Sequence, residues 1–229
     1  MPKVPKWMAN AMESLFSGSY HPVKITEVKY LNKSLKQVRF KGDFSHIQKE
    51  FLPGNVIEFR INDTEFRHYT PSFFNKDEGI FEVLFYLHDK GPGSKWAANL
   101  DTGTELKLLG PGKKMSMNLD SKIHIIYGDE TSLGLMKWFS NYCKDLQKAC
   151  YFVIDIDEKH KDWFNFLSID SSCFIEQNEL ENIEKDSTSF YLTGNAKKIQ
   201  SFRNNILKMG FSKTQIQSYP YWAEGKIGL

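Results

Sequence analysis

The chain has 229 residues, enough for one large domain or two of about 100 residues each. With 41% hydrophobic and 25% charged residues, and with 18 Phe, 10 Tyr and 5 Trp, it carries ample apolar material for a core and is not a disordered chain. Thirty Lys and Arg stand against 28 Asp and Glu, spread without blocks, which argues against a dedicated nucleic-acid binder; no apolar run nears the roughly 20 residues of a membrane span and no signal core follows the basic start, so a soluble, cytoplasmic protein is expected.

Val4, Trp7, Met8, Ala11, Met12, Leu15 and Phe16 recur at the spacing of one helical face, and the pattern stops at Gly18. A helix over 1–20 packing on its own domain is expected, with a partner-binding or membrane-surface helix as the other reading; its polar face is not strongly basic. From Val23 to Pro111 the period becomes two. Six strands are read at Val23–Val28, Leu35–Phe40, Val56–Ile61, Arg67–Phe73, Ile80–Leu87 and Glu105–Leu109, separated by Gly, Pro, Asp and Asn turns, with a short helix at Ser94–Leu100. They predict a six-stranded antiparallel Greek-key barrel.

Beyond Pro111 the pattern changes again. Lys122–Tyr127, Cys150–Ile154 and Ser189–Thr193 read as buried strands, Thr131–Leu146 and Asn195–Met209 as amphipathic helices, so a Rossmann-like α/β domain with a mostly parallel sheet follows the barrel. The acidic stretch Glu176, Glu179, Glu181, Glu184 and Asp186 reads as a solvated loop or helix face. Cys143, Cys150 and Cys173 lack metal or disulfide spacing and read as buried small hydrophobes, and His124, inside a strand, as a satisfied core residue.

Three short stretches carry chemistry. In Arg67-His68-Tyr69-Thr70-Pro71-Ser72 the alternation of a strand places Arg67 and Tyr69 on one face and His68 and Thr70 on the other. Arg pairs bidentately with phosphate, Tyr offers a flat ring and Thr a hydroxyl; an ordinary edge strand with an aromatic core residue reads the same way. In His88-Asp89-Lys90-Gly91-Pro92-Gly93-Ser94-Lys95-Trp96 the glycines form a tight loop, Ser94 is placed to cap the helix, and exposed N–H groups suit a pyrophosphate or simply a capped turn. Gly128-Asp129-Glu130-Thr131 follows a buried strand and opens a helix, the crevice position of open α/β sheets, although its two carboxylates repel phosphate and can instead cap the helix.

In this order, Arg67–Thr70, Gly91–Ala97, Gly110–Lys113 and Gly128–Thr131, with Tyr191–Gly194 and Tyr221–Gly225 later, the chain resembles the siderophore-interacting protein family of flavin-dependent ferric-siderophore reductases on the ferredoxin-reductase fold. The resemblance implies an FAD-binding barrel over 21–118 and an NAD(P)H-binding domain over 119–229. It implies FAD contacts from Arg67, His68, Tyr69, Thr70, His88, Gly91, Gly93, Ser94, Lys95 and Trp96, and nicotinamide contacts from Gly128, Asp129, Glu130 and Thr131. Lys113, Lys114, Trp222 and Lys226 are the implied contacts of an anionic ferric siderophore, with a ferredoxin as a further possible partner, and no acid–base residue is expected. The chain departs from the family pattern at Ser72, where arginine is common, at Asn195, where an acidic residue is usual, and at Ala223-Glu224, where arginines are frequent. Two other readings stay open: a NAD(P)H–flavin oxidoreductase serving another acceptor, and a non-catalytic ferric-chelate-binding protein. NADH and NADPH are not distinguished, with Lys159, Lys161, Lys197 and Lys198 all candidates for a 2′-phosphate.

Overall fold

A computed structural model describes residues 4–15 and 19–226. The chain divides into two compact units, the first running to Lys114 and the second spanning Met115–Lys226.

The first unit opens with α1 (Lys6–Leu15) and then builds a seven-stranded sheet from β1 (Tyr20–Asn32), β2 (Leu35–Gly42), β3 (Val56–Asn62), β4 (Glu65–Tyr69), β5 (Phe73–Asn75), β6 (Ile80–Tyr86) and β7 (Glu105–Gly112). The expected helix is present, but Trp7, Met8 and Leu15 of its apolar stripe are exposed, and among its described side chains Ala9 is the one that is buried. Polar ties hold it instead, from Lys6 to Asp63 and from Arg60 to both Asn10 and Glu13. Phe16 and Gly18, read as the end of this helix, lie outside the described residues.

Seven strands replace six because the run Arg67–Phe73 is broken. Pro71 has no N–H to give a ladder, so pairing lapses between β4 and β5, and the Ser72 N–H bridges to the Glu82 carbonyl at 2.8 Å. The strand order is β4-β3-β7-β1-β2-β6-β5. The two edges are thus sequence neighbours, and a sheet whose ends are joined by three residues must curl until they meet. Tyr69 of β4 and Phe85 of β6 touch across that seam with ring centroids 4.9 Å apart. The expected barrel is therefore a curled half-barrel, closed at one side by side chains. Its interior is aromatic: Phe40 and Phe81 are in cross-strand register and stack at 4.6 Å, with Phe59 over Phe40 at 5.5 Å. Lys36, fully buried on β2, donates to the carbonyls of Leu100 (2.6 Å) and Ala98 (3.0 Å), pinning the end of α2 (Pro92–Ala98).

The second unit is a four-stranded parallel sheet, β11-β10-β8-β9, from β8 (Ile123–Gly128), β9 (Ala149–Ile154), β10 (Thr188–Asn195) and β11 (Ile216–Trp222). The two helices α3 (Leu133–Asp145) and α4 (Ala196–Lys208) take opposite faces, as period-3.6 patterning against doubly buried strands requires. Ile199, Phe202 and Ile206 of α4 pack on Ile125, Tyr127, Phe190 and Leu192, while Phe139 of α3 packs on Tyr191. The crossover from β9 to β10 has short 3-10 turns and no α-helix, and the acidic stretch folds into one of them, Gln177–Asn182, with Leu180 fully buried. β11 is absent from the sequence reading: Gln217, Ser218 and Pro220 hide its alternation, and its place at the sheet edge tolerates the proline.

His124 is buried as expected but only half satisfied. Nδ1 lies 3.3 Å from the Tyr191 hydroxyl, and Nε2 meets no hydrogen-bond partner among the described residues. Burial, helped by the Lys148 charge, pushes its pKa down to about 4. Cys143 and Cys150 are buried free thiols, whereas Cys173 is only half-buried, and burial raises the pKa of the Cys150 thiol.

The sign for His124 is that of a histidine whose folded-state affinity for protons is depressed: its contribution is whole above pH 6.5 and is lost as pH falls toward 4. Acidification across that window is expected to cost the second unit about 3 kcal/mol. Comparison of urea unfolding at the two ends of the window with the His124→Gln variant checks this, the variant losing most of the slope.

Candidate functional site

Two groups of motif residues are assembled, one in each unit. In the first unit β4 alternates as predicted. His68 points to β3, where it faces its register partner Glu58 with Nε2 to Oε2 at 2.8 Å. Arg67 and Tyr69 point the other way, toward the first turn of α2. Arg67 gives one N–H to Glu65 (3.0 Å) and one to the Phe66 carbonyl (2.7 Å). Tyr69 donates to the Gly93 carbonyl at 3.4 Å, and its ring lies nearly parallel to that of Trp96 at 5.8 Å. Phe59 and Phe85 complete this aromatic wall, and burial raises the pKa of the Tyr69 phenol. Thr70 is half-buried at the end of the strand.

The glycine loop explains why these residues meet. A Cβ on Gly93 would sit 2.8 Å from the Tyr69 hydroxyl and 3.5 Å from Arg67 Cγ, so only glycine lets β4 and α2 approach so closely. Gly91 is the N-cap of α2 and Pro92 occupies its first position, where a missing N–H costs nothing. Ser94 does not cap the helix as expected. It is buried inside the first turn, and its Oγ accepts the Asp89 N–H at 3.1 Å, bracing the loop from within. The Lys90 N–H donates to His88 Nδ1 at 3.2 Å, and burial lowers the His88 pKa, so this ring is a neutral part of the loop. Lys95 is exposed.

An arginine carries five N–H donors, and among the described residues two of those on Arg67 are committed, which leaves three on a half-buried cation beside a glycine-rich turn. With a flat aromatic wall next to it, this donor set fits a diphosphate attached to a planar ring system, so the residues of the first unit suit an FAD.

In the second unit the end of β8 is organised by one carboxylate. Asp129 is 4% exposed and accepts four hydrogen bonds: from Thr131 N (2.9 Å), Thr131 Oγ1 (2.5 Å), Asn195 N (2.9 Å) and Trp222 Nε1 (2.8 Å). It thereby ties together the ends of β8, β10 and β11. Burial raises its pKa against the lowering effect of those donors. Gly128 allows Ser132 to close in, since a Cβ there would lie 2.3 Å from the serine side chain. Glu130 accepts from His160 Nδ1 (2.7 Å) and the Asp157 N–H (2.9 Å), fixing the loop after β9. Both carboxylates thus face protein donors: Asp129 caps the turn that opens α3, as the sequence allowed, whereas Glu130 ties down the loop after β9 and caps nothing.

Beside these ends lies a cleft of about 620 Å³ lined by Tyr127, Asp155, Asn195, Lys197, Lys198 and Trp222 among others. It sits at the carboxyl ends of the strands, next to the point where chain order reverses between β8 and β10. Sequence reasoning missed Asp155, Gln177, Ser201 and Asn205 of this lining, whose positions depend on how loops and helix faces fold over the sheet. Asn195, where the sequence reading begins the helix, is its cap: the side chain accepts from Lys197 N and Lys198 N. Lys113 and Lys114 are exposed after β7, and Lys226 is exposed in the last described turn.

Residues 53–115 match the family model of the siderophore-interacting FAD-binding domain, a segment that holds Arg67–Thr70 and Gly91–Trp96. No curated protein matches the chain. The fold is that of a siderophore-interacting protein from Acinetobacter baumannii (TM-score 0.72, 16% identity, 90% of this chain and 91% of that one). It is shared by a siderophore utilization protein from T. fusca (0.74, 17%, 92% and 95%) and by the ferredoxin reductase of carbazole 1,9a-dioxygenase (0.73, 15%, 89% and 70%). The resemblance read from the ordered motifs is therefore matched in the first unit by a family model and over the whole chain by a ferredoxin-reductase-like fold.

Gly194 has a φ of +97°, and a Cβ on it would lie 2.4 Å from Asp129 Oδ2. Gly194→Ala is expected to lower the stability of the second unit by at least about 1–3 kcal/mol, read as a drop in its thermal unfolding midpoint.

Proposed function

We propose that this protein is an FAD-dependent NAD(P)H oxidoreductase of the cytoplasm that reduces Fe(III)-siderophores and so releases Fe(II). The observation that carries the reading is the Arg67–Tyr69 strand held against the Gly91–Trp96 loop, with three arginine donors uncommitted, inside the segment that matches a siderophore-interacting FAD-binding domain. The names of the siderophore-interacting and siderophore utilization proteins with this fold support the substrate class. Among the described residues, no helix is long and apolar enough to cross a membrane.

Arg67 would hold the diphosphate, and the first turn of α2 at Gly91, Gly93 and Ser94 would bring backbone N–H groups to it, braced by the bond from Asp89 to Ser94. Tyr69 and Trp96 would give the ring a dry wall, and the Thr70 hydroxyl would meet a ring nitrogen. When bound, FAD supplies the step that protein side chains lack, accepting an electron pair from a nicotinamide and returning single electrons to Fe(III). Iron reduced to Fe(II) binds hard oxygen donors much less tightly, which is what frees it from the chelate. Lys113, Lys114 and Lys226 would draw in an anionic chelate through long-range attraction. The second unit would bind the nicotinamide nucleotide at the carboxyl ends of its strands.

The equal fit to a dioxygenase ferredoxin reductase favours one other reading, in which the same flavoprotein serves a ferredoxin or another acceptor. Steady-state rates with ferric siderophores against ferredoxin and quinone acceptors separate the two.

Arg67→Ala is expected to weaken FAD binding by about 1.5–3 kcal/mol, the value of a charge-assisted hydrogen bond to phosphate, as measured by flavin fluorescence quenching. FAD affinity equal to that of the parent would refute the placement of the diphosphate. Lys226→Ala is expected to leave FAD affinity alone and raise only the KM for the ferric chelate.

A further inference from the structure

We infer that His21 and His46 form a binding site for a divalent first-row transition-metal ion, held between the two ring nitrogens that face each other. The site lies within the first unit and does not depend on the flavin reading.

The spacing of those nitrogens is the key observation. His46 Nε2 and His21 Nδ1 are 3.0 Å apart, although 25 positions separate the residues in the chain. Two nitrogens bound to one ion at about 2.0–2.1 Å stand about 2.8–3.0 Å apart at a right angle and about 3.3–3.4 Å apart at a tetrahedral one. The pair is thus at the spacing of neighbouring ligands before any ion enters.

The inner ring is already oriented as a ligand. His21 sits on β1 and is 4% exposed, with its ring edge-on to Phe44 at 5.9 Å. Its Nε2 lies 3.1 Å from the Gly110 carbonyl, which only accepts, so Nε2 carries the hydrogen and Nδ1 of the neutral ring presents a lone pair toward His46. Burial favours that neutral ring. A histidine whose far N–H is held on a backbone carbonyl has the support that fixes the tautomer and direction of a metal ligand.

The outer ring supplies the adaptable half. His46 is exposed in the turn after β2, which the Ile47 N–H closes on the Phe44 carbonyl at 3.0 Å and Lys76 Nζ braces at the Ile47 carbonyl at 2.6 Å. With no ion, its Nε2–H donates to His21; a change of tautomer moves the hydrogen to Nδ1 and gives the Nε2 lone pair to the ion. Asp43, exposed at the start of the same turn, accepts from the Ser45 N–H at 2.9 Å, and its negative charge acts on both imidazoles, which favours a cation between them. Among the described residues no group of three or more histidine, cysteine or carboxylate side chains gathers as a ligand set. Solvent therefore fills the remaining positions, and the site is open and exchangeable, suited to ions that imidazole binds well, such as Zn(II) and Ni(II).

The test is calorimetric titration of the full chain, free of any added histidine tag, with Zn(II) and with Ni(II), in the parent and in His46→Gln. Nuclear magnetic resonance of the histidine ring nitrogens, with and without Zn(II), identifies the atoms that bind. The parent should take up one ion, and the signals of His21 Nδ1 and His46 Nε2 should move while those of the other histidines stay. His46→Gln changes an exposed turn residue, keeps the parent's circular dichroism, and should weaken uptake about tenfold or more. Absence of one-to-one uptake by the parent, uptake that His46→Gln leaves unchanged, or shifts centred on other histidines overturns the inference and leaves a hydrogen-bonded imidazole pair.

Discussion

Buried carboxylates set the terms for both units, because a charge taken out of water must find its partners inside the fold or cost several kcal/mol. Glu58, Glu65 and Glu82 are each under 7% exposed in the first unit. Glu82 binds Arg39 and Gln37 across the sheet, Glu58 binds His68, and Glu65 binds Arg67 and Asn62. In the second unit Asp129 collects its donors from β10, β11 and the turn that opens α3. Glu58, Glu65 and Asp129 each recruit a residue of the motifs, His68, Arg67, Thr131 and Trp222 among them, whereas Glu82 is held by Arg39 and Gln37 of β2. His68 is spent on this task through its contact with Glu58, whereas Arg67 has donors to spare.

What was legible in the sequence follows from how local the cause is. Alternation in β2 and β6 and the helical period of α4 are properties of a few consecutive residues, and those elements stand where the pattern places them. β11 was invisible because an edge strand needs neither a continuous apolar face nor every N–H. The outward face of α1 was misread for a related reason: periodicity announces a helix, while Arg60 and Asp63, nearly fifty or more residues away, decide which side of it is held. The role of Ser94 also turned on a tertiary fact, since the Asp89 backbone claims the hydroxyl that would otherwise cap.

The site was legible as an ordered set of motifs and illegible as a surface. The pairing of Arg67 with Tyr69 follows from strand alternation, and the need for glycine at position 93 follows only once Tyr69 is seen to occupy the space of a Cβ. Asp129 reads in sequence as a carboxylate unwelcome near phosphate; in the structure it is turned to four protein donors and holds the strand ends together.

The departure at Ser72 concentrates the proposed diphosphate contact. Ser72 is fully buried with a hydroxyl that meets no partner among the described residues, and its N–H is bonded to the Glu82 backbone. An arginine in that position would need a path to solvent or to a carboxylate, and the Glu82 carboxylate is already occupied by Arg39 and Gln37. The buried acid of this strand pair is thus given to the sheet. On the proposed reading, Arg67, tethered by Glu65 yet with donors remaining, is the strand residue that would carry the diphosphate contact.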